Sequence, residues 1–220
     1  MSLKLVFLGP PGAGKGTQAD RMAKQFGLLH ASTGGVFRAA VAADSELGRA
    51  VRASLDAGRL VPDELTSRVV REMVLEKSEG YILDGYPRTL PQADALGQML
   101  GERGEALDGV MHFELDEPEA IRRLTGRLVC ERCGANYHRL LMPPRRDALC
   151  DRCDGKLVVR SDSSEAVVRK RLDEYRLKSL PLVAYYRERG LLRCVDASED
   201  PESVSRKTRA ILSALDSRRA

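Results

Sequence analysis

The chain has 220 residues, 43% of them hydrophobic, which is enough for a domain that buries its own core. Its 36 basic and 32 acidic residues give a formal net charge of +4, too small to indicate a nucleic-acid surface. No apolar run approaches the roughly 18 residues of a membrane span, and the opening residues lack the pattern of a secretion signal. We therefore expect a cytoplasmic protein without nucleic-acid or membrane partners.

Strand-length apolar runs alternate with helical periodicity along most of the chain, which predicts an α/β fold with a parallel sheet flanked by helices. The predicted strands cover 4–8, 81–83 and 109–115. One helix is predicted to end at Gly27, others to begin at Pro62 and Pro201, and a short one to cover 117–125. Asp162 and Glu165 have the spacing of a capping box, which predicts a further helix after them.

A glycine-rich loop follows the first predicted strand. Residues 9–15 read GPPGAGK and match the pattern Gly-x-x-x-x-Gly-Lys between a strand and a helix. Such a loop directs backbone N–H groups at phosphate oxygens, and Lys15 would contact the outer phosphates. Gly16 stands where the general pattern has Ser or Thr, and the hydroxyl follows at Thr17. The loop predicts nucleotide binding without direct magnesium ligation by a hydroxyl; the alternative is a plain glycine turn.

The segment 126–163 is rich in cysteine and proline, unlike the rest of the chain, and indicates an inserted subdomain. It contains two Cys-x-x-Cys pairs 16 residues apart, Cys130 with Cys133 and Cys150 with Cys153. This spacing predicts a structural zinc site, because four thiolates complete a tetrahedron and so small an insertion cannot bury much core. Free thiols or iron on the same sulfurs are the alternatives.

Two residues between the cysteine pairs, and the one cysteine that belongs to neither pair, could have a structural or a functional role. For Tyr137 and His138, packing within the insertion is favoured over contact with a nucleotide. The fifth cysteine, Cys194, follows a short apolar run and is predicted to be a half-buried strand residue.

Three blocks resemble the signatures of the adenylate kinase family. They are GPPGAGKGT at 9–17, Ser-Thr-Gly at 32–34 followed by Arg38, and Asp-Gly-Tyr-Pro-Arg-Thr at 84–89 with Gln92. The resemblance extends from Lys4 to the last helix. It implies a P-loop nucleoside monophosphate kinase fold with a core at 1–31, 62–125 and 164–220, an AMP-binding subdomain at 32–61 and a zinc-binding lid at 126–163.

The resemblance also implies an activity: reversible phosphoryl transfer from MgATP to AMP, giving two ADP, in adenine nucleotide homeostasis and salvage. The expected form is a cytoplasmic monomer. Such a transfer depends on holding anions in line and compensating their charge, for which guanidinium groups are well suited. The residues implied to be catalytic are Lys15, Arg88, Arg123, Arg127, Arg160 and Arg171.

Ligand contacts are implied in the same way. The residues matched to ATP binding are Gly12, Ala13, Gly14, Lys15, Gly16, Thr17 and Arg127. Those matched to AMP binding are Thr33, Arg38, Leu60, Val61, Gly85, Arg88, Gln92, Arg160 and Arg171. Asp84 is matched to magnesium, held through water. The alternatives are a surface ion pair for any one arginine and a cap or turn role for Asp84.

Two positions depart from the family pattern. Gly35 stands where the family usually has Asp, so no role is assigned to it. The lid's usual Asp-Asp pair is here Asp162 followed by Ser163, which leaves one carboxylate to hold the arginines of a closed lid. Thr33 and Gln92 match the members that use AMP, and they favour AMP over UMP or CMP.

Two rival functions remain at this stage. One is an ATP-binding core whose zinc ribbon binds nucleic acid, which the small net charge and the 5% of aromatic residues disfavour. The other is a kinase of the same fold that phosphorylates another nucleoside monophosphate, which Thr33 and Gln92 argue against.

Overall fold

The computed structural model describes residues 3–76, 78–159 and 163–217. The strands are β1 (Lys4–Leu8), β2 (Leu29–Ser32), β3 (Tyr81–Asp84), β4 (Gly109–Glu114), β5 (Arg127–Cys130), β6 (Asn136–His138), β7 (Leu157–Val159) and β8 (Leu192–Asp196). The helices are α1 (Lys15–Phe26), α2 (Thr33–Ala42), α3 (Glu46–Asp56), α4 (Asp63–Val70), α5 (Leu90–Gly101), α6 (Glu117–Thr125), α7 (Glu165–Glu174), α8 (Pro181–Glu188) and α9 (Pro201–Asp216). Two π-helical turns, Arg71–Leu75 and Tyr175–Ser179, continue α4 and α7.

The main sheet has five parallel strands in the order β2-β3-β1-β4-β8. Strands β2 and β3 lie on one side of β1, and the later strands β4 and β8 lie on its other side. The direction in which strands are added to the sheet therefore reverses at β1. In open α/β sheets, ligands bind beyond the carboxyl ends of the strands at such a reversal. The topology therefore places the loop after β1 at the expected binding position.

The two faces of this sheet bury separate apolar clusters because side chains alternate along each strand. Leu5 and Phe7 pack on one face, with Phe113 and residues of α1 and α9. Val6 and Leu8 pack on the other face with residues of α5 and α8. All five residues of β1 are buried, as expected for a central parallel strand. Both faces are covered by helices, which confirms the predicted α/β class.

Two smaller parts have apolar clusters of their own. Helices α2 and α3 pack together around Phe37, Val51 and Val61. Residues of the cysteine-rich segment form an antiparallel sheet in the order β6-β5-β7. The expected insertions at 32–61 and 126–163 contain these two parts, and their boundaries stay a prediction.

Most predicted elements occur where they were expected, with three corrections. Helix α7 begins at Glu165 after the N-cap residue Ser164, so the capping box with Glu165 at the third helical position is wrong. Strand β4 ends at Glu114 rather than at residue 115. Cys194 lies on strand β8 as predicted, but its side chain is exposed rather than half-buried. Within the described residues, no helix is long and apolar enough to cross a membrane.

Candidate functional site

A cleft of about 840 Å³ opens at the carboxyl ends of the central strands. Each residue matched to nucleotide or magnesium binding lines it, apart from Arg160, which lies outside the described residues together with Asp162. The lining set contains Gly12, Ala13, Gly14, Lys15, Gly16, Thr17, Thr33, Arg38, Leu60, Val61, Asp84, Gly85, Arg88, Gln92, Arg123, Arg127 and Arg171. Residues far apart in sequence thus face one another across one cavity.

The loop after β1 needs glycine at several positions for steric reasons. Gly9, Gly12 and Gly14 all have positive φ values, of 142°, 89° and 78°, which L-residues with a side chain rarely adopt. A Cβ at Gly9 would also lie 2.5 Å from the carbonyl oxygen of Phe113. The loop therefore curls tightly over the end of the sheet and leads directly into α1, whose N-terminus favours anions.

Lys15 is the first residue of α1, and its Nζ donates to the carbonyl oxygens of Gly9 and Pro10, at 2.8 Å each. Burial, opposed by the carboxylate of Asp84 and assisted by nearby guanidinium groups, lowers the pKa of Lys15 to about 8. Those guanidinium groups belong to Arg88, Arg127 and Arg171. Such a concentration of positive charge around one ammonium is unfavourable without an anion, and it is suited to a polyphosphate.

Gly16 explains the departure from the general loop pattern. A Cβ at this position would lie 3.2 Å from Oδ2 of Asp84, at the end of β3. A serine or threonine here would crowd that carboxylate, whereas glycine leaves space between the helix and the strand. The nearby carboxylate therefore explains why position 16 carries no hydroxyl side chain. Asp84 instead offers a carboxylate oxygen as a metal ligand beside the loop.

Asp84 belongs to a partly buried network that the sequence analysis missed. Nε2 of His30 lies 3.6 Å from Oδ2 of Asp84, and Nδ1 of His30 is 2.6 Å from Oδ1 of Asp20. Burial opposes protonation of His30, but the two carboxylates raise its pKa to about 9. Burial also opposes ionisation of Asp84, yet His30 and Lys15 hold its pKa below the usual range. The network keeps Asp84 ionised and fixes its position.

A second cluster of contacts surrounds Gly85, whose φ is +87°. The Thr33 hydroxyl donates to the Gly85 carbonyl oxygen at 3.0 Å, and Nε of Arg88 donates to the same oxygen at 2.8 Å. A Cβ on Gly85 would come within 2.9 Å of both of these side chains. Gly85 thus leaves space for Thr33 and Arg88, two of the residues matched to AMP binding. Arg38 lies nearby, its NH1 3.0 Å from the position of a Cβ on Gly34.

Gln92 is only 2% exposed, and its amide is held on both sides. Oε1 accepts from the backbone N–H of Arg88 at 2.7 Å, and Nε2 donates to Oδ1 of Asp63 at 2.7 Å. Oδ2 of Asp63 also accepts from the hydroxyl of Thr89, the N-cap residue of α5. One carboxylate therefore fixes which way the amide of Gln92 points, although Asp63 was not among the predicted site residues.

The remaining arginines come from the elements next to the lid. Nε of Arg123, on α6, donates to Glu119, and its two other nitrogens donate to the carbonyl oxygens of Ala197 and Ser198. Arg127 begins β5, and Arg171 lies on α7, packed beside Gly58. Arg123 is thus fixed against the loop that precedes α9. The positive charges of Arg127 and Arg171, in contrast, help to lower the pKa of Lys15.

The four paired cysteines converge at one end of the small antiparallel sheet. Their sulfur atoms all lie within 4.8 Å of one another, with Cys130 to Cys153 and Cys133 to Cys150 at 3.5 Å. These distances exclude disulfides and are close to the roughly 3.8 Å between sulfurs that share a tetrahedral zinc ion. Cys130 and Cys150 are buried in the lid's own apolar cluster. The donor set and its geometry fit a structural zinc ion.

Tyr137 and His138 pack within the lid, as the favoured interpretation predicts. The Tyr137 hydroxyl lies 3.4 Å from the sulfur of Cys150 and accepts from the backbone N–H of Asp151 at 2.7 Å. Nδ1 of His138 accepts from the backbone N–H groups of Leu140 and Leu141, at 3.0 Å each. Both side chains also border the cleft. Their main contacts are nevertheless with the lid itself.

Comparison with known proteins agrees with this arrangement. The family model described as adenylate kinase matches residues 7–191. The chain is similar to an adenylate kinase of Carboxydothermus hydrogenoformans, at 47% identity over 92% of this chain and 95% of the relative. It is also similar to the adenylate kinase of Archaeoglobus fulgidus, at 44% identity over 98% of this chain and 100% of the relative. The chain belongs to the adenylate kinase family.

Proposed function

We propose that the protein catalyses reversible phosphoryl transfer from MgATP to AMP, giving two molecules of ADP, and so serves adenine nucleotide homeostasis and salvage. The observation that carries this proposal is the cleft itself. The phosphate loop, three guanidinium groups and the Thr33–Gly85–Arg88 cluster all face the same cavity. A cavity of that size can hold two nucleotides with their phosphates adjacent.

ATP would occupy the side of the phosphate loop. The N–H groups of 12–17 and the Lys15 ammonium would bind the β- and γ-phosphates, and Lys15 would leave the carbonyl oxygens of Gly9 and Pro10. Arg123 and the segment 197–201 line that side of the cleft and would border the adenosine. Asp84 would hold magnesium through water, and the ion would supply charge compensation between the phosphates.

AMP would occupy the side formed by α2, the segment 58–61 and the loop after β3. Arg38 and Arg88 line this side of the cleft and would bind the AMP phosphate. Thr33 and Gln92 would contact the adenine, beside the apolar residues Leu60 and Val61. A buried amide that pairs with one base leaves donors unpaired with another, a discrimination of roughly 1 to 3 kcal/mol.

The chemical step needs little covalent assistance, because the accepting oxygen of AMP is already ionised. Lys15, Arg88, Arg127 and Arg171 would stabilise the charge that spreads over the transferred group, and Arg160 would join them. Their positions around one buried point, with Asp84 as the counter-charge, support this role. Closure of the lid would exclude water, which would otherwise accept the phosphoryl group.

We further propose that the lid, 126–163, binds a structural zinc ion through Cys130, Cys133, Cys150 and Cys153. The ion would stabilise the lid and take no part in the chemistry, since four thiolates leave no position for water. We propose a cytoplasmic monomer, as the family resemblance implies, without membrane partners; the modest net charge argues against a nucleic-acid partner.

The decisive experiment measures ADP formed from MgATP in parallel with AMP, UMP, CMP, GMP and no acceptor. We expect a rate that requires AMP. Lys15→Ala should abolish transfer, whereas Lys24→Ala, on an exposed position of the same helix, should keep full activity. Equal rates with and without acceptor would indicate an ATPase instead. They would favour the rival function, in which the zinc ribbon binds nucleic acid. A preference for UMP or CMP would contradict the assignment of Thr33 and Gln92.

A further inference from the structure

A second group of metal-ligating side chains lies outside the lid and outside the nucleotide cleft. It consists of His112 and Glu114 on β4 and Cys194 on β8. One ligand atom from each residue lies within 4.8 Å of the other two. Nδ1 of His112 is 3.6 Å from Oε1 of Glu114 and 4.0 Å from Sγ of Cys194. Neither the family signatures nor the proposed phosphoryl transfer uses these three residues.

The backbone of the sheet holds the three side chains together. His112 and Glu114 are two residues apart on one strand, so they point to the same face. Cys194 is the register partner of His112 on the neighbouring parallel strand and shares that face. The cluster is therefore built on rigid elements of the main sheet, not on loops.

The distances are close to those of a shared metal ion. Ligands at about 2.0 to 2.3 Å from a tetrahedral ion are about 3.3 to 3.8 Å from one another. The distance from Nδ1 of His112 to Glu114, 3.6 Å, lies within this range, and the distance to Cys194, 4.0 Å, exceeds it slightly. Small rotations of Glu114 and Cys194, both exposed side chains, would close the difference.

The other nitrogen of His112 is held in the manner usual for a metal ligand. Nε2 lies 3.1 Å from the hydroxyl oxygen of Tyr175, while Nδ1 faces the carboxylate and the thiol. A ligating histidine commonly donates its second N–H to such an oxygen, which fixes the tautomer and the ring orientation. With the Nε2 proton donated to Tyr175, the lone pair of Nδ1 is directed at the other two ligands.

The surroundings also favour a cation. His112 and Glu114 line a cavity of about 580 Å³ next to the phosphate loop, together with the carboxylates of Asp116, Glu117 and Asp196. Arg176 borders the same cavity, but its guanidinium group is paired with Glu117 at 3.1 Å and with Asp173 at 2.8 Å. Most of the negative charge around the cavity therefore remains available to an ion.

Two opposing charges act on the cluster, Lys15 from the start of α1 and Arg187 from α8. Arg187 lies beside Cys194, and its charge also acts on His112. Its side chain is exposed and has room to move away. Arg187 should therefore reduce the affinity for a cation without blocking the site.

We propose that His112, Glu114 and Cys194 form a binding site for a divalent transition-metal ion of the zinc type, with water completing the coordination. One imidazole, one carboxylate and one thiolate suit zinc, cobalt or nickel better than magnesium or calcium. Binding displaces the thiol proton of Cys194. Since Tyr175 lines both cavities, an ion here would lie one side chain away from the nucleotide cleft.

The test uses the metal-free full chain loaded with one equivalent of zinc, which the four thiolates of the lid bind first; zinc has a filled d shell and no visible absorption. Cobalt(II) chloride is then added, and the near-ultraviolet thiolate-to-cobalt absorption is followed. We expect an absorption that saturates at one added equivalent and is absent in Cys194→Ser. Absorption that is equal in wild type and Cys194→Ser would arise from exchange at the lid and would overturn the proposal, as would the absence of any absorption.

Two further variants test whether cobalt binding depends on the assigned ligand geometry or only on an intact fold. Tyr175→Phe leaves the ring in place and removes the partner of Nε2, and it should weaken cobalt binding about tenfold. Arg187→Gln should tighten binding, because it removes one of the two opposing charges. Unchanged affinity in both variants would contradict the assigned ligand geometry. Thermal unfolding of each metal-free variant, which should match the wild type, checks that the fold is intact.

Discussion

Oδ1 of Asp63 accepts a hydrogen bond of 2.7 Å from Nε2 of Gln92. Because a carboxylate only accepts, this contact decides that the nitrogen of the amide, and not its oxygen, faces Asp63. The oxygen then accepts from the backbone N–H of Arg88. One N–H of Gln92 and one lone pair of its oxygen remain for a base, with their directions set by Asp63. Selectivity among nucleoside monophosphates should therefore depend on a residue that does not itself need to touch the base.

Asp63→Asn tests this dependence. The variant replaces one of two accepting oxygens by an NH₂ group, so either Gln92 or Thr89 loses its acceptor. We expect the KM for AMP to rise about tenfold, which corresponds to about 1.4 kcal/mol, and the ratio of AMP to CMP activity to fall. The KM for ATP should stay within twofold. Glu64→Gln, an exposed neighbour on the same helix, is the matched control. An unchanged ratio of AMP to CMP activity would show that Gln92 needs no support from Asp63.

His30 should control how tightly magnesium is held beside Asp84. The imidazole contacts the carboxylates of both Asp20 and Asp84, and its Nε2 is buried with no hydrogen-bond partner among the described residues. His30→Ala removes the group that fixes Asp84, and we expect the magnesium concentration for half-maximal rate to rise about tenfold. Asp20→Asn should change it in the same direction by less. Magnesium curves that superimpose with wild type would contradict this role, and circular dichroism checks the fold.

The sequence predicts the parts of this site that are local in the chain. The phosphate loop and the cysteine pairs are recognised within a few residues, because their geometry depends on their neighbours. Asp63 and His30 were missed because each acts on a partner that the sheet brings from elsewhere. The loop before α9, which accepts the hydrogen bonds of Arg123, was missed for the same reason. The failed capping box shows a further limit: Ser164, one residue before the helix, was an equally suitable cap.

The lowered pKa of Lys15 predicts a pH dependence with a defined sign. Burial holds this pKa at about 8 rather than at 10.5, so the ammonium is lost as the pH rises through about 8. The phosphates of ATP bind the charged form, and we expect kcat/KM for MgATP to fall about tenfold per pH unit above that point. Bound nucleotide stabilises the charge, so the corresponding fall in kcat should lie at higher pH.

Lys15→Arg supplies the control, because a guanidinium group stays charged throughout this range. The variant should be slower than wild type at pH 7, since its shape differs. Its kcat/KM should nevertheless stay level between pH 7 and about pH 8.5, below the pKa of about 9 of His30. The same alkaline fall in both proteins would mean that another group titrates, and the assignment to Lys15 would be wrong.

Metal removal should destabilise the lid before it affects chemistry at low temperature. Cys130 and Cys150 are two of the five buried residues in the lid's apolar cluster, so little core remains once their shared ion is lost. With a chelator that strips zinc, we expect the midpoint of thermal unfolding to fall by about 4–8 °C, which corresponds to about 2 kcal/mol. Hydrogen exchange should rise in β5, β6 and β7 and stay unchanged in β1 and β4.

Cys133→Ser should reproduce this effect without chelator, because three thiolates hold zinc less tightly than four. Glu131→Gln changes an exposed side chain between two of the cysteines and removes no thiolate, so its unfolding midpoint and its sensitivity to chelator should match the wild type. Activity of the stripped enzyme, measured well below the new midpoint, should remain above half of the original rate, since the ion supports the lid and no reacting atom. Identical unfolding curves with and without zinc would contradict a structural metal in the lid, whatever the rate.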